Sequence, residues 1–150
     1  EYYRKYVGGV SVKIVFNQTF SLLQQAEVAL VTSGTATLET ALFRVPQVVC
    51  YHTPIGKVIA FLKRHILKVK YISLVNLIAD REVVQELVAD KMTVAYIREE
   101  LERILYNKEY RGQMLEGYEY MASRLGEAGA PKRAANRMLE LLKKYSKKRG

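Results

Sequence analysis

Four small residues and one acid, set around the start of a helical pattern, are the part of the sequence best suited to chemistry. Ser33, Gly34 and Thr35 follow an apolar run, Ala36 adds only a methyl group, and Glu39 comes one helical turn after Thr35. Glycine permits a tight turn and a close approach to the backbone, while the two hydroxyls add hydrogen-bond donors. The unpaired N–H groups of a helix beginning here would favour an anion such as a phosphate or diphosphate.

Glu39 and Thr35 share one face of the predicted helix because they are one turn apart. A carboxylate at this place is unsuited to phosphates, but it accepts hydrogen bonds from the vicinal hydroxyls of a sugar. The combination indicates a nucleotide held by its diphosphate and its ribose. The same residues also fit an ordinary N-capped helix whose acid offsets the helix dipole, and spacing alone favours that simpler interpretation.

The elements that must position these residues alternate between strand and helix. Hydrophobic patterns predict strands over 10–16, 27–33, 45–51 and 71–75, a short helix after residue 17, and helices over 35–44 and 55–67. We therefore expect an α/β fold, with an incomplete Rossmann-like parallel sheet of about four strands and helices on both faces. This part would span about 10–90, and the run 27–33 resembles a strand buried on both faces.

The remainder of the chain is predicted to be helical from Glu82 onward. Thr93 and Asn107 are suitable N-caps for two amphipathic helices, and Gly129 with Pro131 separates a third that ends near Tyr145. These C-terminal helices would span about 93–145.

Composition limits the classes of protein to which this chain can belong. The chain has 150 residues, 49% of them hydrophobic, so it can bury one core, and no export signal is visible at its start. Its one cysteine, Cys50, lies in a strand pattern, which indicates a buried, inert thiol in a reducing compartment. His52 and His65 have no nearby carboxylate, so no metal site is predicted.

The positive charge is concentrated in one segment. The net charge is +9, and the stretch from Thr40 to Ala79 contains no Asp or Glu. On a helix beginning near residue 55, one face would carry Lys57, Phe61, Arg64 and Lys68. An aromatic ring among cations suits an anionic membrane surface, and the predicted helix is shorter than the about 20 residues that span a bilayer. Coverage of Phe61 by another domain is the alternative.

Four segments together resemble a known family. SGTATLE, VPQVVCY, the basic amphipathic stretch and YISLVNLIADREVVQELV are similar to the carboxyl-terminal domain of lipid-A-disaccharide synthases, bacterial glycosyltransferases of the GT-B fold. The resemblance covers most of residues 27–92. It implies transfer of a diacylated glucosamine from UDP to diacylglucosamine 1-phosphate, with release of UDP, in lipid A and hence lipopolysaccharide biosynthesis.

The resemblance also implies roles for particular residues. Ser33, Gly34, Thr35 and Ala36 would face the diphosphate, Glu39 the ribose, and Asn76 would lie near the donor. The loop at Phe16 and Asn17, followed by Gln18, would hold the uracil through its backbone. No metal or other cofactor is expected, since hydrogen-bond donors would stabilise the leaving UDP.

Some of the family's parts are not found in this chain. The amino-terminal acceptor domain and the first donor-domain strands are absent, and no catalytic residue is assigned, so we expect no transferase activity from the chain alone. The strand predicted at 10–16 would then need another partner, including a second copy in a homodimer formed by strand or helix exchange. The resemblance implies a cytoplasmic enzyme, peripheral on the inner face of the bacterial inner membrane.

Two other classes of function stay open. One is another UDP-sugar enzyme of the same fold, either a transferase of peptidoglycan precursors or an epimerase, which would share the small-residue turn and the ribose acid. The other is a basic module that binds nucleic acid. The apolar residues interleaved with the cations, and the lack of a nucleic-acid-binding motif, disfavour the second class.

Overall fold

The described part of the chain alternates strands with helices and then becomes helical throughout. The computed structural model describes residues 7–8, 11–32, 34–51, 70–127 and 129–146. The elements in order are α1 (Thr19–Leu23), β1 (Ala29–Val31), α2 (Thr35–Leu42), β2 (Gln47–Tyr51), α3 (Leu74–Ala79), β3 (Glu86–Val88), a 3-10 helix (Ala89–Lys91), α4 (Val94–Tyr106), α5 (Lys108–Arg124) and α6 (Ala130–Ser146).

The three strands form a parallel sheet in the order β1-β2-β3. Val31 pairs with Val49, and Cys50 pairs with Leu87. Successive side chains of a strand point to opposite faces, and Val48 and Val49 of the central strand are both fully buried, so both faces of β2 are covered. This arrangement confirms the predicted α/β class with an incomplete Rossmann-like sheet.

The prediction that the run containing β1 is buried on both faces is wrong in part. Val31 is buried, but the neighbouring Leu30 is 52% exposed. The described elements therefore pack on one face of β1 and leave the face with Leu30 open.

The predicted strand over 10–16 does not join the sheet. Residues 11–15 have no strand pairing, Val12 and Phe16 are exposed, and Val10 lies outside the described residues. Alternating apolar residues favour an extended strand. A strand of a sheet also needs a neighbouring strand that hydrogen-bonds to its backbone N–H and C=O groups. The expected exchange with a second copy stays a prediction.

Two predictions near residue 80 are also wrong. The segment 71–75 is not a strand, because Ser73 caps α3 and its Oγ accepts the N–H of Asn76 at 3.3 Å. The segment after Glu82, expected to be helical, contributes β3 instead. Pairing with β2 overrides the helical preference of this short run, since tertiary contacts outweigh local propensity.

The predicted C-terminal helices are present and their caps are confirmed. Thr93 Oγ1 accepts the N–H of Tyr96 at 3.2 Å, and Asn107 Oδ1 accepts the N–H of Tyr110 at 3.0 Å. Helices α4 and α5 contribute the buried side chains of Ile104, Met114, Tyr118 and Met121 to the same core as β2.

A hydrogen-bonded side chain inside this core links the sheet to α2 and to α5. Gln47, fully buried at the start of β2, donates from Nε2 to the Thr37 carbonyl at 2.9 Å and to the Tyr118 hydroxyl at 3.4 Å. Buried polar groups are costly unless they are hydrogen-bonded, so these two bonds restrict how α2 can sit on the sheet.

Two glycines on α5 provide a matched test of this packing. A methyl group at Gly117 would lie 2.4 Å from Val83 Cγ1, whereas at Gly112 it would meet no atom within 4 Å. We expect Gly117→Ala to lower the free energy of unfolding by about 1 kcal/mol, since overpacking outweighs the helix propensity gained. Gly112→Ala should raise it by about 1 kcal/mol. Urea unfolding followed by circular dichroism measures both, and equal effects at the two positions would contradict the described contact of α5 with Val83.

Candidate functional site

Helix α2 begins without a capping side chain at the carboxyl end of β1. Its N-cap is Gly34, with φ 85° and ψ −153°, and neither a side-chain cap bond nor an acid in the first turn is present. This backbone conformation is accessible almost only to glycine. A methyl group at Gly34 would meet no atom of the described residues within 4 Å.

The alternative of an ordinary capped helix fits this geometry poorly. Glu39 is the fifth residue of α2 and therefore lies beyond the first turn, where an acid offsets the helix dipole. Thr37 stabilises the turn, because its buried Oγ1 donates a hydrogen bond to the Gly34 carbonyl at 2.9 Å. The first N–H groups of α2 lie at the positive end of the helix dipole, and no side chain caps them.

Glu39 lines an open cavity together with the loop that leads into α1. The cavity has a volume of about 360 Å³, and its walls are formed by Glu39 and residues 17–21. The Glu39 side chain is half-buried, and none of the described residues pairs with its carboxylate. Asn17 and Glu39, predicted from separate parts of the sequence, are therefore brought to one site, one helical turn away from Thr35.

Local structure explains why the loop lies against α2. Asn17 has φ 56°, a left-handed conformation that asparagine tolerates better than most residues, and it bends the chain into α1. The ring of Phe20 then stacks on the ring of Phe43, with centroids 5.4 Å apart. Buried Leu23 anchors the other end of α1. Phe16 is exposed and does not line the cavity.

Tyr51, at the carboxyl end of β2, is a site residue that the sequence patterns missed. Its side chain is half-buried and lies close to the backbone of Gly34. Burial raises the pKa of the Tyr51 hydroxyl, the nearby Glu86 carboxylate raises it further, and the Gly34 backbone offsets part of this rise. The hydroxyl is therefore neutral at physiological pH and is a hydrogen-bond donor. Its place as the last residue of a buried parallel strand was the available signal.

Asn76 is fully buried, and every hydrogen-bonding group of its side chain is occupied. Its Oδ1 accepts the N–H groups of Val83 and Val84 at 2.8 and 3.0 Å, and its Nδ2 donates to the Val84 carbonyl and to Glu86 Oε1 at 2.9 and 3.0 Å. A direct side-chain contact with a ligand would require breaking one of these bonds. The prediction that Asn76 lies near the donor stays a prediction.

Glu86, the first residue of β3, completes this network. Its carboxylate accepts the N–H of Ser73 at 2.8 Å and that of Ile72 at 3.0 Å, in addition to the Asn76 amide. These charge-assisted bonds fasten the chain segment before α3 to β3.

Several predicted site residues lie outside the described part of the chain. They are Ser33 of the turn and the proposed membrane-facing residues Lys57, Phe61, Arg64 and Lys68. Gly34 and Thr35 are exposed at the start of α2, and Ala36 is half-buried beside them.

Metal and thiol chemistry find little support in the described part of the chain. Across the described ranges, no group of three or more His, Cys, Asp or Glu side chains is arranged to hold a metal ion. Cys50 is buried as predicted, and burial raises the pKa of its thiol, so it is protonated at neutral pH and unreactive. No helix in the described residues is both long and apolar enough to cross a membrane.

Parallel strands, an uncapped helix start beyond their carboxyl ends and an open cavity beside it define a Rossmann-like α/β protein. Comparison with known proteins gives the particular family. A family model described as lipid-A-disaccharide synthetase matches residues 4–138, and the chain belongs to this family.

Curated relatives agree with the family match. The chain is 40% identical over 134 residues to a lipid-A-disaccharide synthase of Myxococcus xanthus (strain DK1622), covering 89% of this chain and 34% of the relative. It is 39% identical to that of Prochlorococcus marinus (strain MIT 9313), covering 81% and 31% respectively. For Vibrio campbellii (strain ATCC BAA-1116), the identity is 30% over 95% of this chain and 36% of the relative. The chain thus spans about a third of the length of these relatives.

The network around Glu86 can be tested by removing its carboxylate. We expect Glu86→Ala to lower the free energy of unfolding by about 3 kcal/mol, because two backbone N–H groups and the Asn76 amide lose a charged acceptor. Urea unfolding measures the change. Glu82→Ala, at an exposed carboxylate four residues earlier, is the matched control and should alter stability by less than about 0.5 kcal/mol. A loss at Glu86 no larger than the control's would mean that the network does not fasten α3 to the sheet.

Proposed function

We propose that this chain is the donor-binding part of a glycosyltransferase that joins UDP-2,3-diacylglucosamine to 2,3-diacylglucosamine 1-phosphate, releasing UDP and forming the lipid A disaccharide. The single observation that carries the proposal is the cavity in which Glu39 faces residues 17–21, which are the turn before α1 and its first residues, one helical turn from the uncapped start of α2. Membership of the lipid-A-disaccharide synthase family supports the choice of reaction.

Different residues of the site are suited to the diphosphate, the ribose and the uracil of UDP. The start of α2, with Gly34, Thr35 and Ala36, offers backbone N–H groups and a hydroxyl to the diphosphate. Glu39 accepts hydrogen bonds from the ribose hydroxyls, and the Asn17–Gln18 backbone borders the place for the uracil. Ser33 belongs to the same turn in the sequence. Asn76 acts through the network that holds α3 beside the ends of the strands.

The leaving group dictates what this part of the enzyme must do. Negative charge builds up on the diphosphate as the bond to the sugar breaks, and oriented N–H groups stabilise that charge without reorganising. The helix dipole of α2 adds to the effect, so the described residues can assist departure of UDP without a metal ion. Activation of the acceptor hydroxyl is assigned to residues beyond this chain.

Attachment to the membrane is a second part of the proposal and rests on the sequence. The acylated substrates are membrane lipids, so a peripheral enzyme at an anionic surface reaches them directly. The acid-free segment with Lys57, Phe61, Arg64 and Lys68 provides cations around an aromatic ring for that surface. The cytoplasmic face of the bacterial inner membrane is the location consistent with these substrates.

Replacing the ribose acid tests the donor site. We expect Glu39→Gln to weaken UDP binding about tenfold, because a charged acceptor of the ribose hydroxyls becomes neutral. Its affinity for 2′-deoxy-UDP should change much less, since one of those hydroxyls is already absent. Isothermal titration calorimetry measures all four affinities.

The control for this test is Glu99→Gln, which removes the same charge from an exposed position on α4. It should leave UDP binding within about twofold of the original chain. If Glu39→Gln weakens UDP and 2′-deoxy-UDP equally, the carboxylate does not contact the ribose. A chain that binds a DNA duplex but not UDP would favour the nucleic-acid-binding alternative.

Tyr51 gives a second test at the diphosphate end of the site. We expect Tyr51→Phe to weaken binding of UDP about fivefold and of uridine hardly at all, because only the diphosphate would use the hydroxyl at the α2 turn. Calorimetry with both ligands makes the comparison. Tyr106→Phe, at an exposed tyrosine, is the matched control and should change neither affinity. Equal weakening for UDP and uridine would show that Tyr51 acts only by holding the fold together.

A further inference from the structure

Phe20 is an aromatic side chain in the wall of the cavity that contains Glu39. The cavity is lined by Glu39 and residues 17–21, and among these described residues Phe20 supplies the only aromatic ring. Phe20 is 57% exposed. An exposed apolar side chain is ordinary by itself, but an aromatic one in the wall of a concave site is a common ligand contact.

A second aromatic ring fixes the position of Phe20. The rings of Phe20 and Phe43 are stacked, with their planes inclined by 18°. Phe43 is half-buried at the end of α2, and its N–H donates to the Glu39 carbonyl at 3.0 Å. Since this backbone bond spans one helical turn, the stacked rings and the Glu39 side chain are neighbours along the same side of α2.

The spacing of residues along α2 matches the order of the parts of a nucleotide. Thr35, Glu39 and Phe43 follow one another on one side of the helix at steps of about 6 Å, because each step is four residues. In the proposed function, Thr35 lies at the diphosphate and Glu39 at the ribose. The base and the diphosphate are attached to opposite sides of the ribose, so the next step along α2 brings the base to the stacked rings.

The chemistry of Phe20 favours the base over the other parts of the donor. A phenyl ring has no hydrogen-bond donor for a phosphate and no acceptor for a sugar hydroxyl, whereas every nucleobase has a flat face that stacks on an aromatic side chain. The acyl chains of the proposed donor are carried by its glucosamine, which is attached beyond the diphosphate. They therefore lie at the opposite end of the nucleotide from Phe20 when the ribose lies at Glu39.

We infer that the uracil of the donor stacks on Phe20 and that Phe43 is a positioning residue that holds the Phe20 ring in place. The inference rests on the proposed function and deepens it, because it adds a side-chain contact to the backbone contacts of Asn17 and Gln18. It makes the affinity for the donor depend on the aromatic character of the base.

Removing the ring tests the inference on the 150-residue chain. We expect Phe20→Ala to weaken UDP binding about tenfold in isothermal titration calorimetry, because base stacking is lost. Binding of dihydro-UDP should change less than about twofold, since its saturated base stacks poorly but keeps the hydrogen-bonding edge of uracil. Phe20→Trp should keep the affinity for UDP within about threefold, and Phe43→Ala should weaken it about threefold because the Phe20 ring loses its support.

The ring current of Phe20 provides a second measurement. Protons of the uracil ring should shift upfield in the NMR spectrum when UDP binds to the original chain, and this shift should be lost in Phe20→Ala. Circular dichroism checks that each variant keeps the original fold. A change in fold alone would weaken UDP and dihydro-UDP equally.

Leu22→Ala is the matched control for Phe20→Ala. Leu22 lies on the same helix and is 55% exposed, but it does not line the cavity, so its replacement should leave UDP binding within about twofold. Equal weakening of UDP and dihydro-UDP by Phe20→Ala would overturn the inference, as would a loss no larger than the control's. UDP binding that Glu39→Gln weakens and Phe20→Ala does not would leave the donor-site proposal standing without the stacking contact, whereas a chain that binds no UDP would overturn both.

Discussion

The parallel pairing of β2 with both β1 and β3 is the constraint on which the rest of the structure depends. Parallel strands end at the same edge of their sheet, so the pairing brings together the turn after β1, Tyr51 at the end of β2 and the segment after β3. Val48 and Val49 are buried on opposite faces of β2, and a slip of the register by one residue would exchange those faces. Gln47 adds a polar restraint, because its buried amide is bonded to α2 and α5 at once.

The Asn76–Glu86 network and the start of α2 have opposite properties. The Asn76–Glu86 network is closed, since each group of the Asn76 amide has a partner within the chain and Glu86 accepts two backbone N–H groups. Such a network rigidifies the structure around it. The start of α2 has no side-chain cap, and a methyl group at Gly34 would meet no atom of the described residues within 4 Å. An uncapped helix start on a rigid support can accept an anion with little reorganisation.

Helix α6 is exposed, unlike the elements that pack around the sheet. The described core is complete without α6, because β2, α2, α4 and α5 bury their apolar residues against one another. The helix instead exposes its large apolar side chains, Met138 and Leu142 among them.

The sequence by itself determined the elements whose signals are local. The turn at Gly34, helix α2, strand β2 and the caps at Thr93 and Asn107 depend on neighbouring residues, and all were predicted. Family likeness was also readable, because the quoted motifs are contiguous in the chain. Tertiary structure decided the features that need a distant partner. Residues 11–15 have a strand pattern but no neighbour to pair with, while Glu86–Val88 has a helical pattern and pairs with β2. The meeting of Asn17 with Glu39, and of Tyr51 with Gly34, likewise arose from packing, since no local pattern encodes which loop a folded helix will face.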